Sequence, residues 1–417
     1  MKKLAILFSG QGSQYVGMGK DLFEQHQIVR DMFSNASDTL GLDMENLCFA
    51  ESADVLNSTE NTQPAILLCS VAAWQVFQQE TGLTPGAMAG HSLGELSALV
   101  AAGAMRLEDG LKLARARGLA MARCGNDGKT GMSAATKLTR EHLEKVCNGM
   151  DGFGESVVVA NYNSPRQQVL SGDVEKLKAL GEQLKAEGGA VIPLRVSGAF
   201  HSPYMAPAAK EFTDVINGIE LKKPAIPVIS NVSAKPHGDV ESIKSALIDQ
   251  ITHPVLWQDT LDYLSSETGI DTFVEAGPKD VLKKLATTTL PNVSAFALDQ
   301  KDDEKALQDA LQSAIKALKE RPTVLGKCMA VAVATRNSNF DNDAYQQGVI
   351  QPYQQLKEMH EKHSATGLNA SPEEMVSAMK LLQQIMDCKG ASDQEKQMRF
   401  RQVAEQTGCE KELAEFI

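Results

Sequence analysis

The chain has 417 residues, 43% hydrophobic and 23% charged, with a formal net charge of −12 at pH 7. That length gives room for roughly two or three domains with ample core, and the acidic balance argues against a nucleic-acid or membrane surface that acts through bulk charge. Seven scattered cysteines, an odd count with no C-x-x-C, fit reduced thiols in a cytoplasmic protein better than a disulfide framework or a zinc site. The opening MKKLAILFSGQGSQ has an apolar run, Leu4 to Phe8, too short for a signal peptide. No stretch approaches the roughly 18 apolar residues of a spanning helix.

In chain order, LAILFSG (4–10) reads as a buried strand followed by a glycine-rich loop. Helices are expected at 18–26, 29–39 and 62–81, the third apolar nearly all round and so central. A short strand at 86–90 precedes helices at 93–105 and 107–123. After 125–131 the rhythm changes to β-α-β-β-α-β, ending near 198, the ferredoxin-like order of an inserted subdomain at 128–197. The flanking parts, 1–127 and 198–321, form one α/β domain. Its second part carries a helix at 205–217, a strand at 226–232 and helices at 240–251 and 257–267. A strand at 271–277 and helices at 279–289 and 303–320 complete it. Alternating strands and helices predict a mainly parallel sheet covered on both faces. Strand signals stop after CMAVAVAT (328–335), and 322–417 reads as a helical appendage with an Asn/Gln-rich connector at 337–347. Ser371, Pro372 and Glu374 form a capping box there, Ser392 and Glu395 a second, and Met375, Met379, Leu382 and Met386 an apolar stripe. With 10 Lys plus Arg against 13 Asp plus Glu, this tail carries −3.

The chemistry concentrates in AGHSLGELSALVAAG. Gly90-His91-Ser92-Leu93-Gly94 fits G-x-S-x-G, which suits a sharp strand-to-helix turn holding a nucleophilic serine. Such a hydroxyl needs a base. His91 adjoins the serine and should point away, whereas His201, in VSGAFHSPYM where the chain re-enters the main domain, is the better candidate. No acidic residue follows His201 closely to fix its tautomer. Backbone N–H groups of Gln11, in SGQGSQ after the first strand, and of Leu93 are candidate oxyanion donors. Arg115 and Arg117, two apart on an otherwise apolar or small helix, face different directions, and one can reach a cleft to hold a carboxylate. His360-Glu361-Lys362-His363 is one residue short of H-E-x-x-H and reads as solvated surface.

FSGQGSQYVGMGKDL, NTQPAILLCSVA, AGHSLGELSALVAAG, RGLAMA, NYNSPRQQVLSG, GAFHSPYM and EAGPKDVL together resemble the malonyl-CoA:acyl carrier protein transacylases of fatty acid synthesis. The resemblance covers about residues 1–310, in order. It implies a hydrolase-like α/β domain with a ferredoxin-like insertion and the site between them. It also implies Ser92 as the acylated nucleophile and His201 as base and then acid, with a backbone carbonyl, that of Gln250, holding the second imidazole nitrogen. Gln11 and Leu93 become the oxyanion hole and Arg117 the grip on the malonyl carboxylate. Met121 and Phe200 line the acyl pocket, and Asn161 and Asn163 stand near the pantetheine arm. Where the family often has an arginine before a tryptophan, this chain has Leu256-Trp257.

The implied reaction is ping-pong transfer from malonyl-CoA to the phosphopantetheine thiol of acyl carrier protein, with no permanently bound cofactor, metal, nucleic acid or membrane, in a cytoplasmic monomer. Lys279, Lys283 and Lys284 are candidate carrier-docking residues, against the alternative of a solvated helix face. Two alternatives remain at this point: a trans-acting acyltransferase of a polyketide pathway, and a serine thioesterase or hydrolase sharing the elbow and histidine. The resemblance assigns no role to 322–417.

Overall fold

The computed structural model describes residues 3–125, 128–319, 321–366 and 370–417. The chain divides into two compact units, Met1–Ile315 and Lys316–Ile417. Asn126 and Asp127, which the sequence reading places at the end of the first α/β part, and Glu320, at the end of the expected last helix, lie outside the described residues.

In the first unit a five-stranded parallel sheet is formed by β1 (Leu4–Phe8), β2 (Ala87–Gly90), β7 (Val228–Ile229), β8 (Thr272–Ala276) and β9 (Ser294–Ala297), in the order β7-β2-β1-β8-β9. All four pairings are parallel. β1 is central and buried at every position, which is why it reads as an unbroken apolar run rather than an alternating one. The second sheet is antiparallel, β4 (Val157–Ser164), β5 (Gln167–Asp173), β3 (Thr130–Thr136) and β6 (Ala190–Pro193) in that order. Helices Arg140–Asn148 and Val174–Ala186 complete its β-α-β-β-α-β sequence.

The helix Thr59–Thr81 is buried along most of its length, as its nearly uniform apolarity requires. The helix Leu107–Gly125 packs beside it, and Arg117 donates across the pair to Gln63. Differences from the sequence reading are local. Short helices Met44–Phe49 and Ala53–Asn57, and strand β9, were not anticipated. The strands expected at 226–232 and 190–198 shrink to two and four residues. The helix after Ser92 ends at Ala101.

The second unit has its own core, including Val324, Leu325, Cys328, Leu356, Met379, Leu382, Ile385, Met386, Phe400 and Val403. CMAVAVAT is not a strand: it lies largely within the helix Val324–Ala334, capped by the Thr323 hydroxyl. β-Branched residues there fit a helix because tertiary burial outweighs their weak helix propensity. The Ser371–Glu374 capping box is complete, whereas at Ser392 the bond from Glu395 N–H to the hydroxyl is the half that forms. Buried Lys389 donates through Nζ to the carbonyls of Ala332 and Thr335, a cation closing the end of a helix.

Candidate active site

The turn after β2 is tight because two main-chain segments pass where side chains would stand. A Cβ on Gly90 would lie 1.9 Å from the Gly94 carbonyl, and one on Gly94 would lie 2.1 Å from the Phe8 carbonyl oxygen. With both glycines, β2 turns directly into the helix Gly94–Ala101, and Ser92 is forced to φ 52°. That left-handed conformation is costly for a serine and is held by its surroundings. Asn231, just beyond β7, does much of the holding. Its Oδ1 accepts from Ser92 N–H at 2.6 Å and its Nδ2 donates to the Gly90 carbonyl at 2.7 Å.

Ser92 Oγ lies 2.8 Å from His201 Nε2. His201, also at positive φ (57°), has Nδ1 2.7 Å from the backbone oxygen of Gln250. A carbonyl can only accept, so Nδ1 carries the proton and Nε2 is free to take one from the serine. Burial, and then the nearby Arg117 charge, push His201 down to about 3, keeping the imidazole neutral.

Arg117 is buried, and its Nη2 donates to Ser92 Oγ at 3.1 Å and to Gln250 Oε1 at 2.9 Å, while Nη1 donates to Gln63 Oε1 at 2.9 Å. Glutamine oxygens are neutral acceptors, so no ion pair has to break before a carboxylate can bind this guanidinium. The Leu93 N–H stands at the start of the helix after the elbow, and the Gln11 N–H in the turn after β1. Among the described residues neither donates to another backbone group. Arg115 is the other-facing arginine and donates to Asn61.

A serine hydroxyl, a neutral imidazole and a buried guanidinium thus meet within about one hydrogen-bond length of one oxygen. The Acyl transferase domain family model matches residues 6–332. A malonyl CoA-acyl carrier protein transacylase of Bacillus subtilis strain 168 is 39% identical, over 77% of this chain and 98% of the relative. The chain belongs to the malonyl-CoA:acyl carrier protein transacylase family. A second Bacillus subtilis relative of the same name is 34% identical over 389 residues, 93% of this chain and 97% of its own length, so that alignment extends well into the C-terminal unit. The transacylase structure from Clostridium perfringens is similar with a TM-score of 0.71 and 37% identity, covering 76% of this chain and 99% of that one. A malonyl-transacylase in complex with a type II PKS acyl-carrier protein gives 0.70 and 37%, covering 75% and 99%.

Other residues named from the sequence fall in two groups. Met121 is buried, with its sulfur 3.8 Å from Gln63 Nε2, and Phe200 is buried beside His201 in sequence. Asn163 Oδ1 meets His91 Nε2 at 2.8 Å, and His91 packs edge-on to Trp257, so His91 ties the elbow to β4. Asn161 is buried and bridges to Val255. The three lysines form no unpaired patch. Lys283 pairs with Asp303 at 2.7 Å, Lys284 with Asp280 at 2.9 Å, and Lys279 Nζ donates to the Gly12 carbonyl.

Sequence reasoning missed Gln63, Asn231, Glu95 and His237. Glu95 offered a signal, a lone carboxylate in an otherwise small and apolar helix (LGELSALVAAG), and the structure buries it completely. Among the described residues there is no metal-binding cluster of His, Cys, Asp or Glu, and no helix long and apolar enough to cross a membrane.

Proposed function

We propose that this acyltransferase moves the malonyl group from malonyl-CoA to the phosphopantetheine thiol of acyl carrier protein through a malonyl-Ser92 intermediate, supplying chain-extension units for fatty acid synthesis. The observation that carries this reading is the convergence on Ser92 Oγ of His201 Nε2 at 2.8 Å and Arg117 Nη2 at 3.1 Å.

In the first half-reaction His201 Nε2 takes the serine proton while Oγ bonds to the thioester carbon. The oxyanion rests on the N–H groups of Gln11 and Leu93, and collapse breaks the C–S bond as His201 returns the proton to the departing thiolate. In the second, His201 takes the proton of the carrier's thiol, sulfur attacks the malonyl ester, and the serine oxygen leaves with that proton. Arg117 selects an acyl group that ends in a carboxylate and fixes its reach, so the thioester carbon meets Oγ. The carboxylate also offsets the Arg117 charge that depresses His201, so the base strengthens when its proper substrate arrives. A thioesterase would have no use for a buried cation against its nucleophile.

Arg117→Ala should cut malonyl-serine formation by about 10²–10³-fold, the scale of one lost charge-assisted contact at a reacting centre, while acetyl loading falls far less. Intact-protein mass spectrometry with the two CoA esters measures both. Equal losses would make Arg117 a structural residue, and an adduct persisting in Ser92→Ala would overturn the nucleophile.

A further inference from the structure

Arg117 is a buried cation, and among the described residues no carboxylate is hydrogen-bonded to it. Its terminal nitrogens rest on Gln63 Oε1, Gln250 Oε1 and Ser92 Oγ, all neutral. A buried charge normally has a counter-charge near it. Here that charge stands one amide away. Gln250 Nε2 donates to Glu95 Oε2 at 2.7 Å while its Oε1 accepts from Arg117, so the order is guanidinium, amide, carboxylate. Glu95 is completely buried, and the rest of its donors are fixed by the fold. Asn231 N–H donates to the same Oε2 at 3.1 Å, and His237 Nε2 lies 2.8 Å from Oε1 with its ring equally shielded. Burial lowers Arg117 to about 10 even though the Glu95 charge acts against that fall.

We propose that Glu95 is a specificity-determining positioning residue, whose charge, held one amide from Arg117, balances the buried guanidinium yet leaves its N–H groups on neutral acceptors that the substrate carboxylate can displace. A carboxylate in direct contact would balance the charge equally well, but the malonyl group would then have to displace an ion pair. With no carboxylate at all, the guanidinium would be buried unbalanced. The interposed amide avoids both, and Gln250 suits the position because its backbone oxygen already holds His201 and its Nε2 also donates to the Ser92 carbonyl at 3.0 Å.

The inference rests on the malonyl-transfer reading, and the test separates the two. The full-length enzyme is compared as wild type, Glu95→Gln, and the charge swap Glu95→Gln with Gln250→Glu, which keeps net charge and side-chain size while moving the anion against Arg117. Two rates are read for each: malonyl-serine formation from malonyl-CoA, and labelling of Ser92 by an uncharged fluorophosphonate, which needs nucleophile and base without the carboxylate grip. The swap should lower the malonyl-to-fluorophosphonate ratio by about 100-fold or more, the discrimination expected from one buried charge contact. Glu95→Gln alone should raise that ratio by roughly three-fold or more, through a lower KM, because an opposing charge has been removed. A swap with the wild-type ratio would show that the place of the charge is irrelevant. A single variant whose ratio falls would make Glu95 a plain brace, and this second criterion holds even if the swap does not fold. Wild-type enzyme that labels with fluorophosphonate but forms no malonyl adduct would instead defeat the malonyl-transfer reading itself.

Discussion

Replacing Asn231 by alanine removes the brace under the nucleophile. The side chain is completely buried, and it supplies one acceptor to Ser92 N–H at 2.6 Å and one donor to the Gly90 carbonyl at 2.7 Å. Both main-chain groups sit at the point where strand becomes helix, and Asn231 joins them across it. Each orphaned buried group costs about 1–3 kcal/mol, so the pair comes to about 2–6 kcal/mol. That is a large share of the roughly 5–15 kcal/mol that holds a domain together. Part of it is recovered if Ser92 relaxes from φ 52°, and that relaxation is the functional damage, since it moves Oγ away from His201. Both tryptophans, Trp74 and Trp257, are buried in the first unit. Tryptophan fluorescence in urea therefore follows that unit alone. Asn231→Ala should lower the unfolding midpoint by an amount equal to at least 2 kcal/mol at an unchanged m-value, and reduce the malonyl-serine burst by about 100-fold or more. A loss below about 1 kcal/mol with a normal burst would refute the brace.

Fluorophosphonate labelling of Ser92 should stay flat from pH 8 down to about pH 5, because His201, pushed down to about 3 from its ordinary 6.5, stays neutral throughout; an inflection near 6.5 would contradict it. The same depression has a stability consequence: the unfolded chain takes up this proton first, so stability is lost as pH falls below 6.5 toward 3, and His201→Gln should flatten that acid limb in pH-dependent unfolding. Gly94→Ala should leave no acylation-competent enzyme, because the new methyl group would meet the Phe8 carbonyl oxygen at 2.1 Å and neither segment is a side chain that can swing away. All residues of the catalytic arrangement lie in the first unit, so a chain ending at residue 321 should form malonyl-serine within roughly two-fold of the full-length rate.

The elbow and the histidine that meets its serine were readable because each is a local pattern: two glycines around a serine, and a histidine in a loop where the chain re-enters the main domain. The inserted sheet was readable for the same reason, since its strands and helices follow one another in order. The residues that complete the site are tied by long-range bonds. Ser92 and Asn231 are 139 residues apart, and Glu95 and Gln250 are 155 apart, and a single sequence holds no spacing rule for such pairs. Gln250 was named for its carbonyl, while its side chain, which touches Arg117, Glu95 and Ser92, went unread. The partners of the lysines in GPKDVLKK were only partly readable: Asp280, which meets Lys284, lies within the motif, and Asp303 does not. Asp303, which neutralises Lys283, is 20 residues on. CMAVAVAT misled because composition near valine and alanine cannot tell a short buried helix from a strand without the packing around it.

Ser92 and His201 both stand on left-handed backbone, at φ 52° and 57°, where a glycine would rest without penalty. The fold therefore stores tension at both positions, and a copy with glycine in place of Ser92, which has no hydroxyl to acylate, would be relieved of it there. Screens that reward thermal robustness alone would drift toward such copies, so hardening this enzyme requires a turnover readout at every round.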